Sequence, residues 1–393
     1  MTNIMTSKKS LAHWVLLWAC LVWIISPGLH AGTASSRPAP APTGSEWPAD
    51  GPYLLHRPDG STRFIRVDAR GTLTDTVYTQ LPPSFTFQVT DHRGRYPFSV
   101  QLHPVSRPAC RYAAPDQTFV LSDPHGRMDC LVSLLQANGV IDASLHWSYG
   151  TNHLMVIGDI FDRGKDVIAI CWLLYQLEAE ATRAGGHVSV LLGNHEPMVL
   201  ANDLRYTKKS YLQLADTLHL AYADLLGPDT ELGRWLATRN TMQIIGSHLY
   251  VHAGLSTEFY RRRLTLEQVN EAMSSVLFLP SKARKKHDPL SAFLYGSRGP
   301  IWYRGLVRTD AKYAPMPADT LQLLLDHYGV SRIIVGHTIF QTPRTFYRGR
   351  VIGVNVKNEE NQRKKRPRAL LVTRQRCYLA GDKGTLKALR AVR

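Results

Sequence analysis

The sequence predicts an α/β fold in which strands and helices alternate, preceded by a small β-rich module. The first observation is a change of pattern at Gln117: from there on, helical patterns separate short apolar runs at 118–121, 153–157 and 188–192. Strands that are separated by helices form parallel βαβ units. The second observation is that each of these apolar runs leads into a polar motif that contains glycine. Chemistry in an open α/β sheet lies at the carboxyl ends of the strands, so the motifs mark the expected functional site.

The composition fits a globular protein of 393 residues with a sizeable core, because 44% of the residues are hydrophobic. The net charge of +16 suits acidic partners such as phosphorylated substrates, nucleic acid or anionic lipid. It is equally compatible with a basic surface that faces only solvent, so we predict no specific nucleic-acid partner. The sequence does not indicate an oligomeric state. The five cysteines include no C-x-x-C pair, which argues against a thiolate zinc site.

Residues 1–31 have the pattern of a secretory signal peptide. Two lysines precede an almost wholly apolar run at 11–25, and a Pro-Gly break leads to a plausible cleavage point after Ala31. The run is shorter than the roughly 20 residues that a membrane-spanning helix needs. An uncleaved membrane anchor is the second interpretation, and lipidation of Cys20 is the third. All three predict an extracytoplasmic protein, periplasmic or secreted, with membrane contact only through this segment.

Three further segments follow the signal peptide. Residues 32–49 are rich in Pro, Ala and Ser and are predicted to be a flexible linker. Residues 50–113 show short alternating runs between turn signals, which predict a small β-rich module without obvious chemistry. Residues 114–393 form the larger domain. A disulfide between Cys110 and Cys377 is an open alternative, since the sequence does not establish it.

The remaining elements of the larger domain follow from periodicity and turn signals. Apolar residues at helical spacing predict helices at 128–136, 165–184, 202–240 (a helical insert), 266–278 and 319–328. Apolar runs bounded by turn residues predict the later strands at 242–251 (two strands), 332–335, 345–347 and 351–356 (a hairpin), 369–373 and 376–379. The charged stretches at 282–287 and 358–368 are predicted to be loops that face solvent.

The polar side chains at the strand ends have the composition of a two-metal site. They offer oxygen and nitrogen donors and no thiolate, which suits two divalent ions such as Mn, Fe or Zn. One carboxylate must bridge the ions if they are to lie about 3.5–4 Å apart. A water shared by such a pair becomes a hydroxide nucleophile near neutral pH. The candidate ligands are Asp123, His125, Asp159, Asn194, His252 and His337.

Two metals at this spacing are typical of enzymes that act on phosphoryl groups. Hydrolysis of a phosphate ester has two further requirements. The leaving oxygen requires a proton, and a His that is held by a carboxylate can supply it because the carboxylate fixes the tautomer. The non-bridging oxygens are best bound by Arg side chains, whose fork geometry matches them.

In their order along the chain, the motifs resemble a known family. They are Asp123-Pro-His125-Gly, Gly158-Asp-Ile-Phe-Asp-Arg-Gly164, Gly193-Asn-His-Glu196, His252-Ala-Gly and Gly336-His337. This order is similar to that of the calcineurin-like metallophosphoesterases, and the Asp-Arg-Gly version resembles the phosphoprotein phosphatase (PPP) family. The Trp-Tyr-Arg-Gly segment at 302–305 and the long insert after Gly-Asn-His-Glu are most similar to the Shewanella-like branch of that family. The resemblance covers about residues 117–356, and five ordered motifs are a specific signal.

The resemblance implies a role for each candidate residue. Three residues would hold the first metal: Asp123, His125 and His337. Asp159 would bridge, and Asn194 and His252 would hold the second metal. The catalytic residues would be His195 as general acid, Asp162 as the carboxylate that orients it, and Arg163 and Arg304 as phosphate ligands. The implied fold is a pair of mixed β-sheets packed face to face with helices outside and the site at one end of the sandwich.

The implied activity is hydrolysis of a phosphoprotein or a small phosphomonoester by direct attack of a metal-bridging hydroxide, without a covalent phosphoenzyme. A phosphodiesterase or dinucleoside-polyphosphate hydrolase is the alternative, because the same metal core serves both. A pair of phosphate-binding guanidinium groups, from Arg163 and Arg304, favours a terminal phosphate dianion as the substrate group. A non-catalytic secreted anion-binding protein is a more distant alternative.

Some residues near the motifs receive a plain structural interpretation. Ser122 and Ala253 stand where the family usually has Gly, and they bear on backbone fit rather than on chemistry. Glu196 is given no role. Tyr206 and the Lys208-Lys209 pair are interpreted as a solvated helix face.

Overall fold

The computed structural model describes residues 47–82 and 84–390, together with the backbone of a two-residue strand at Ser35–Ser36. The predicted signal peptide at 1–31 lies outside the described residues, as does most of the predicted linker at 32–49. Among the residues that the structure describes, no helix combines the length and the apolar character needed to cross a membrane.

The described residues of the N-terminal part form six short strands in two antiparallel arrangements. The strands are β1 (Ser35–Ser36), β2 (Asp50–His56), β3 (Thr62–Val67), β4 (Leu73–Tyr78), β5 (Thr86–Val89) and β6 (Phe98–Gln101). The first four form a sheet in the order β1-β4-β3-β2, and β5 and β6 form a hairpin. Buried and exposed residues alternate along the hairpin, as expected for strands that are covered on one face.

The larger domain contains two six-stranded mixed sheets. Its strands are β7 (Arg111–Tyr112), β8 (Gln117–Leu121), β9 (His153–Val156), β10 (His187–Val190), β11 (Met242–Ile245), β12 (His248–Val251), β13 (Arg332–Val335), β14 (Arg344–Phe346), β15 (Val351–Gly353), β16 (Ala369–Thr373), β17 (Cys377–Ala380) and β18 (Lys387–Ala388). The first sheet has the order β10-β9-β8-β16-β17-β18, and the second has the order β14-β15-β13-β12-β11-β7. Strands β8, β9 and β10 are parallel, and so are β12, β13 and β15. β7 lies within the segment 50–113 but pairs with β11, so the end of that segment belongs to the second sheet.

The inner faces of the two sheets form a common core. Val120 and Met155 of the first sheet pack in one buried cluster with Tyr250 and Ile334 of the second. Phe119, the neighbour of Val120, points to the opposite face and into a second buried cluster. Both faces of these strands are therefore covered, which explains why their sequences are continuous apolar runs. The implied pair of mixed sheets flanked by helices is confirmed.

Eleven α-helices cover the sheets and connect the strands within the described residues. They are α1 (Met128–Ala137), α2 (Val167–Arg183), α3 (His195–Leu200), α4 (Lys209–Thr217), α5 (Glu231–Ala237), α6 (Thr257–Arg261), α7 (Leu266–Ser275), α8 (Ser281–His287), α9 (Pro289–Leu294), α10 (Ala318–Tyr328) and α11 (Asn358–Arg363). Short 3-10 turns lie at Tyr222–Leu226, Ala311–Tyr313 and Tyr347–Gly349.

Two of these helices correct the sequence prediction of loops. The stretch 282–287 lies in α8, because Arg284 turns inward and donates hydrogen bonds to the carbonyl oxygens of Val276 and Leu277. The stretch 358–368 begins with α11, because the buried Asn361 donates to the carbonyl oxygen of Gln341. In each case polar side chains anchor a highly charged or polar helix to the protein; in α11, Gln362 adds a hydrogen bond to Ser133.

The N-terminal strands pack on α2. The ring of Phe87 on β5 lies 4.8 Å from the ring of Trp172 in an edge-to-face contact. The indole of Trp172 also donates a hydrogen bond of 2.8 Å to the carbonyl oxygen of Pro52. Trp172 is fully buried, so its replacement by Ala is expected to cost about 3–5 kcal/mol. The N-terminal strands and the larger domain therefore share one core.

The cysteines in the described part of the chain are free thiols, namely Cys110, Cys130, Cys171 and Cys377. The thiol of Cys110 lies 2.9 Å from a carboxylate oxygen of Glu267. The alternative of a Cys110–Cys377 disulfide is therefore wrong.

Candidate active site and metal centre

The predicted site residues come together at one edge of the sandwich. Asp123 follows β8, Asp159 follows β9, His252 follows β12 and His337 follows β13. Parallel strands present their carboxyl ends at the same edge of a sheet, which brings these four loops together. Asp123, Asp159 and His337 line one cavity of about 510 Å³ with Asn194 and other predicted site residues. His252 is fully buried and contacts Asp159 and His337.

The backbone of these loops is unusual for residues with side chains. Six site residues have positive φ angles of 44–69°: Asp123, His125, Asp159, Asp162, Arg163 and His337. A left-handed backbone costs a non-glycine residue about 1–3 kcal/mol, and such residues concentrate where function requires the geometry. Gly158 and Gly193 permit the close approach of two loops, because a Cβ on either one would overlap the other loop.

One group of ligand atoms converges around Nε2 of His252. Nδ1 of His252 lies 2.9 Å from the carbonyl oxygen of Ile157 and donates its proton there, so Nε2 carries a lone pair. Three further ligand atoms lie 3.2 Å from this Nε2: Oδ2 of Asp159, Oδ1 of Asn194 and Nδ1 of His337. Acceptor atoms in such close contact require a positive charge between them.

A second group of ligand atoms lies on the other side of Asp159. Nδ1 of His125 faces the carbonyl oxygen of Phe161 at 2.7 Å, which leaves Nε2 free as a ligand atom 3.9 Å from Oδ2 of Asp159. The carboxylate of Asp123 lines the same cavity: its Oδ1 accepts from the N–H of His337 at 3.2 Å, and its Oδ2 accepts from Asn355 at 2.6 Å. The carboxylate of Asp159 lies in both groups, as a bridging ligand must.

The charges of the centre favour bound cations. Burial and the neighbouring Asp159 raise the pKa of Asp123 to about 7. Burial alone would raise the pKa of Asp159, but attraction to His252 and His195 outweighs it and holds the pKa well below its ordinary value. Burial lowers the pKa of His252, yet Asp159 outweighs burial and raises that pKa to about 9. A proton or a metal ion at this nitrogen therefore compensates the buried carboxylate.

Two of the histidines are neutral, as metal ligands must be. Burial lowers the pKa of His125 to about 4. Burial and the neighbouring His252 and Arg304 hold the pKa of His337 well below its ordinary value. Among the described residues, Nε2 of His337 is buried without a hydrogen-bond partner.

The residues therefore fit two divalent ions, with one change from the expected arrangement. His125 shares one group with Asp159, and Asn194, His252 and His337 form the other group with it. His337 was expected to share the first metal with Asp123 and His125. The structure instead places its ring beside His252, because β13 is the parallel neighbour of β12.

The predicted proton donor lies next to the ligands. Nδ1 of His195 contacts Oδ2 of Asp162 at 2.6 Å, and Thr207 donates to the other oxygen of Asp162 at 2.7 Å. Burial would lower the pKa of His195, but Asp159 and Asp162 outweigh it and raise the pKa. Because Nδ1 is held by Asp162, Nε2 is the nitrogen that can give a proton to a bound group.

The two predicted phosphate ligands reach the same cavity. Nη1 of Arg304 donates to Oγ1 of Thr338 at 3.1 Å, which fixes a half-buried side chain. The backbone N–H of Arg163 donates to the carbonyl oxygen of Tyr206 at 3.0 Å. Both guanidinium groups line the cavity.

Three residues that the sequence left without a role support the site. The buried Glu196 accepts backbone hydrogen bonds from Asp159, Ile160 and Gly193, and thereby holds two motif loops together. Its place in the Gly-Asn-His-Glu motif was a signal that could have been used. Asn355 has no such signal, since its contact with Asp123 spans 232 residues of sequence. Tyr206 lines the cavity and is not only a solvated helix residue as interpreted.

Comparisons with known proteins agree with this geometry. The calcineurin-like phosphoesterase family model matches residues 117–340. Shewanella-like protein phosphatase 2 of Arabidopsis thaliana is 25% identical over 276 residues, which are 58% of this chain and 68% of that protein. Shewanella-like protein phosphatase 1 of Plasmodium berghei is 25% identical over 224 residues, which are 56% of this chain and 60% of that protein.

A solved structure matches the fold over most of both chains. It is a cold-active protein-tyrosine phosphatase of a psychrophilic Shewanella species, 33% identical to this chain, with a TM-score of 0.75. The match covers 87% of this chain and 99% of that chain, so it includes the N-terminal strands as well as the two sheets. The chain belongs to the calcineurin-like phosphoesterase family, and it is a hydrolase that acts on phosphoric ester bonds.

Proposed function

We propose that this protein is a metal-dependent phosphomonoesterase that transfers a phosphoryl group from its ester directly to water. The observation that carries the proposal is the convergence on one cavity of the ligand set, the Asp162–His195 pair and two arginines. Divalent ions bound to the ligand set would supply an activated water and neutralise phosphate oxygens.

The arginines support a monoester rather than a diester. Arg304 is fixed by Thr338, and Arg163 lines the same cavity with its backbone N–H bonded to Tyr206, so two guanidinium groups are available to one phosphate. Two guanidinium forks match the three non-bridging oxygens of a terminal phosphate dianion. A diester has one fewer charged oxygen and a second organic group to accommodate.

His195 would give the proton that the leaving oxygen needs. Asp162 orients the imidazole and favours its protonated form, and the raised pKa of His195 keeps the proton available near neutral pH. When the bond from phosphorus to the leaving oxygen breaks, that oxygen takes the proton from Nε2. His195 regains a proton from solvent after the alcohol has left.

The cavity lining supports transfer to water rather than to a protein nucleophile. Among the described residues that line the cavity there is no Ser, Thr or Cys. Cys130 and Cys171 are buried in helices, and burial raises the pKa of both thiols, which makes them poor nucleophiles. A thiol-alkylating reagent is therefore expected to leave the activity unchanged.

The relatives suggest the first substrate class to examine. Those reported above are named protein phosphatases, and one is named a protein-tyrosine phosphatase. We therefore propose a phosphorylated protein as the substrate, with small phosphomonoesters as the second class.

The test compares the hydrolysis of p-nitrophenyl phosphate with that of bis(p-nitrophenyl) phosphate. The protein is stripped of metal and then resupplied with Mn²⁺. We expect metal-dependent turnover of the monoester and little turnover of the diester, followed by turnover of phosphopeptides. Preference for the diester would move the assignment to a phosphodiesterase. Two bound metals without turnover of either ester would contradict an enzymatic role.

A further inference from the structure

The loop between α3 and α4 is held rigidly at the edge of the cavity. Arg205 donates two hydrogen bonds to the carboxylate of Asp203, at 2.7 and 2.8 Å. The N–H of Asp203 donates to the carbonyl oxygen of Met198 in α3 at 2.8 Å. At the other end, Thr207 donates to the carboxylate of Asp162. Tyr206 lies between these two attachment points.

The ring of Tyr206 is exposed in an environment that is otherwise polar. Its exposure is 45%, and it lines the cavity. The guanidinium carbon of Arg163 lies 5.2 Å from the ring centre, and that of Arg205 lies 5.7 Å from it. The ring centre of His195 lies 5.4 Å away. An exposed aromatic ring that is fixed between functional groups is typical of a ligand contact.

The position of Tyr206 relative to His195 identifies the part of the substrate that it meets. The phosphoryl group must lie at the arginines and the metal ligands. The leaving oxygen must lie at His195, because that residue gives it a proton. The organic group attached to this oxygen then extends past His195, where the ring of Tyr206 forms the cavity wall.

We propose that Tyr206 is a specificity-determining residue that contacts the organic leaving group, an inference that rests on the proposed phosphomonoesterase function. The contact is made by the ring and not by the hydroxyl, since the ring lies beside His195 and Arg163. The backbone of Tyr206 contributes separately, because its carbonyl oxygen holds the N–H of Arg163 whatever the side chain is.

The chain offers a matched control on another wall of the same cavity. Ile339 is a large apolar residue with an exposure of 48%, and it lines the cavity two residues after the candidate ligand His337. It is therefore about as exposed as Tyr206, but it lies in a different loop, after β13.

The experiment measures binding of phenylphosphonate and methylphosphonate to the Mn²⁺-loaded protein by calorimetry. These probes share the phosphonate group and differ in the organic group, and neither requires turnover. We expect Tyr206→Ala to weaken phenylphosphonate about tenfold, as for the loss of one aromatic contact. Methylphosphonate should change less than about twofold, and Tyr206→Phe should bind both probes as the unaltered protein does.

Three results would overturn the inference. The first is equal weakening of both probes by Tyr206→Ala, which would indicate a structural role. The second is no weakening of either probe. The third is that Ile339→Ala reproduces the selective effect. If Tyr206→Ala does not fold, Tyr206→Leu replaces it, since leucine keeps the apolar bulk but loses the ring.

The binding experiment separates this inference from the proposed function. The binding ratio is the dissociation constant of methylphosphonate divided by that of phenylphosphonate, and it can be measured without turnover. Absence of monoester turnover in the unaltered protein would therefore contradict the phosphomonoesterase function and leave the test of Tyr206 intact. Turnover together with an unchanged binding ratio in Tyr206→Ala would contradict only the role of Tyr206. Where turnover is present, kcat/KM for phenyl phosphate should fall about tenfold, mainly through KM.

Discussion

Two buried groups of His and Asp side chains in this protein have similar composition and different bonding. One is the metal centre around Asp159. The other connects the N-terminal strands to α2 and consists of Asp91, His92 and Asp166; we call this group the joint. In both groups, possible ligand atoms of three residues lie within 4.8 Å of one another. Residue types alone would therefore suggest a metal at either place.

At the joint, every carboxylate oxygen already accepts a hydrogen bond. Oδ1 of Asp91 accepts from the N–H groups of Arg95 and Tyr96, and its Oδ2 accepts from Nε of Arg95. Oδ1 of Asp166 accepts two hydrogen bonds of 2.7 Å from His92, and its Oδ2 accepts from the N–H of Met128 at 3.4 Å. The lone pairs of this group are satisfied by the protein.

At the metal centre, lone pairs face one another instead. Nε2 of His252 lies 3.2 Å from both Oδ1 of Asn194 and Oδ2 of Asp159, and a single proton on Nε2 satisfies only one of these acceptors. Asp159 and His337 have left-handed backbones, whereas none of the three residues of the joint has one. The comparison teaches that unpaired lone pairs and local strain, rather than residue types, indicate where this protein binds metal.

The largest expected effect separates the two groups directly. Asp159→Asn removes the carboxylate that lies in both ligand groups, so we expect kcat for p-nitrophenyl phosphate to fall about a thousandfold or more. Asp166→Asn is the matched change at the joint. It should keep activity within about threefold and lower Tm, because the new amide N–H would face the N–H of Met128. Near-normal turnover by the Asp159→Asn variant would refute the mechanism.

The same contrast explains how much could be read from the sequence. Asp123, Asp159 and Asn194 each follow an apolar run, so local pattern was enough to predict the strand ends and to select polar residues that the structure brings to one cavity. His337 was grouped with Asp123 and His125, whereas its ring lies beside His252, because that neighbour is set by the pairing of β12 with β13 across more than 80 residues. Strand order is a tertiary property that local periodicity does not contain.

The errors in secondary structure have a similar cause. α8 and α11 consist almost entirely of charged and polar residues, and Arg284 and Asn361 attach them to the fold by hydrogen bonds to carbonyl oxygens of other segments. Tyr206 was interpreted as a surface residue for the same reason. Its exposure was judged correctly, but its place beside His195 depends on the packing of the loop against Asp162.

A second pair of substitutions compares two similar His–Asp contacts. His195 contacts Asp162 at 2.6 Å and His92 contacts Asp166 at 2.7 Å, in both cases through Nδ1. We expect His195→Ala to lower kcat by about a hundredfold or more for alkyl phosphates and by less for p-nitrophenyl phosphate, whose leaving group needs little protonation. His92→Ala should change both substrates by less than about twofold. Equal losses for good and poor leaving groups would contradict the role of His195 as an acid.

Metal content gives a third contrast. After chelation and resupply with Mn²⁺, mass spectrometry should find two equivalents of metal per chain. His337→Ala should bring this value close to one, because it removes a ligand from the group around His252. His92→Ala should keep two equivalents. Loss of an ion in the His92→Ala variant would show that the joint also binds metal and would overturn the argument from satisfied hydrogen bonds.

The smallest expected effect concerns what holds each aspartate in place. Asp166 is held by a side chain and by backbone N–H groups, whereas Oδ1 of Asp162 is held by the hydroxyl of Thr207. Thr207→Val keeps the shape but removes this donor, so Asp162 becomes free to rotate away from His195. We expect about a tenfold loss of kcat for alkyl phosphates and a smaller loss for p-nitrophenyl phosphate. Thr207→Ser should restore the activity, since it restores the hydroxyl. If serine fails to restore it, the threonine methyl group and its packing, rather than the hydrogen bond, position the catalytic pair.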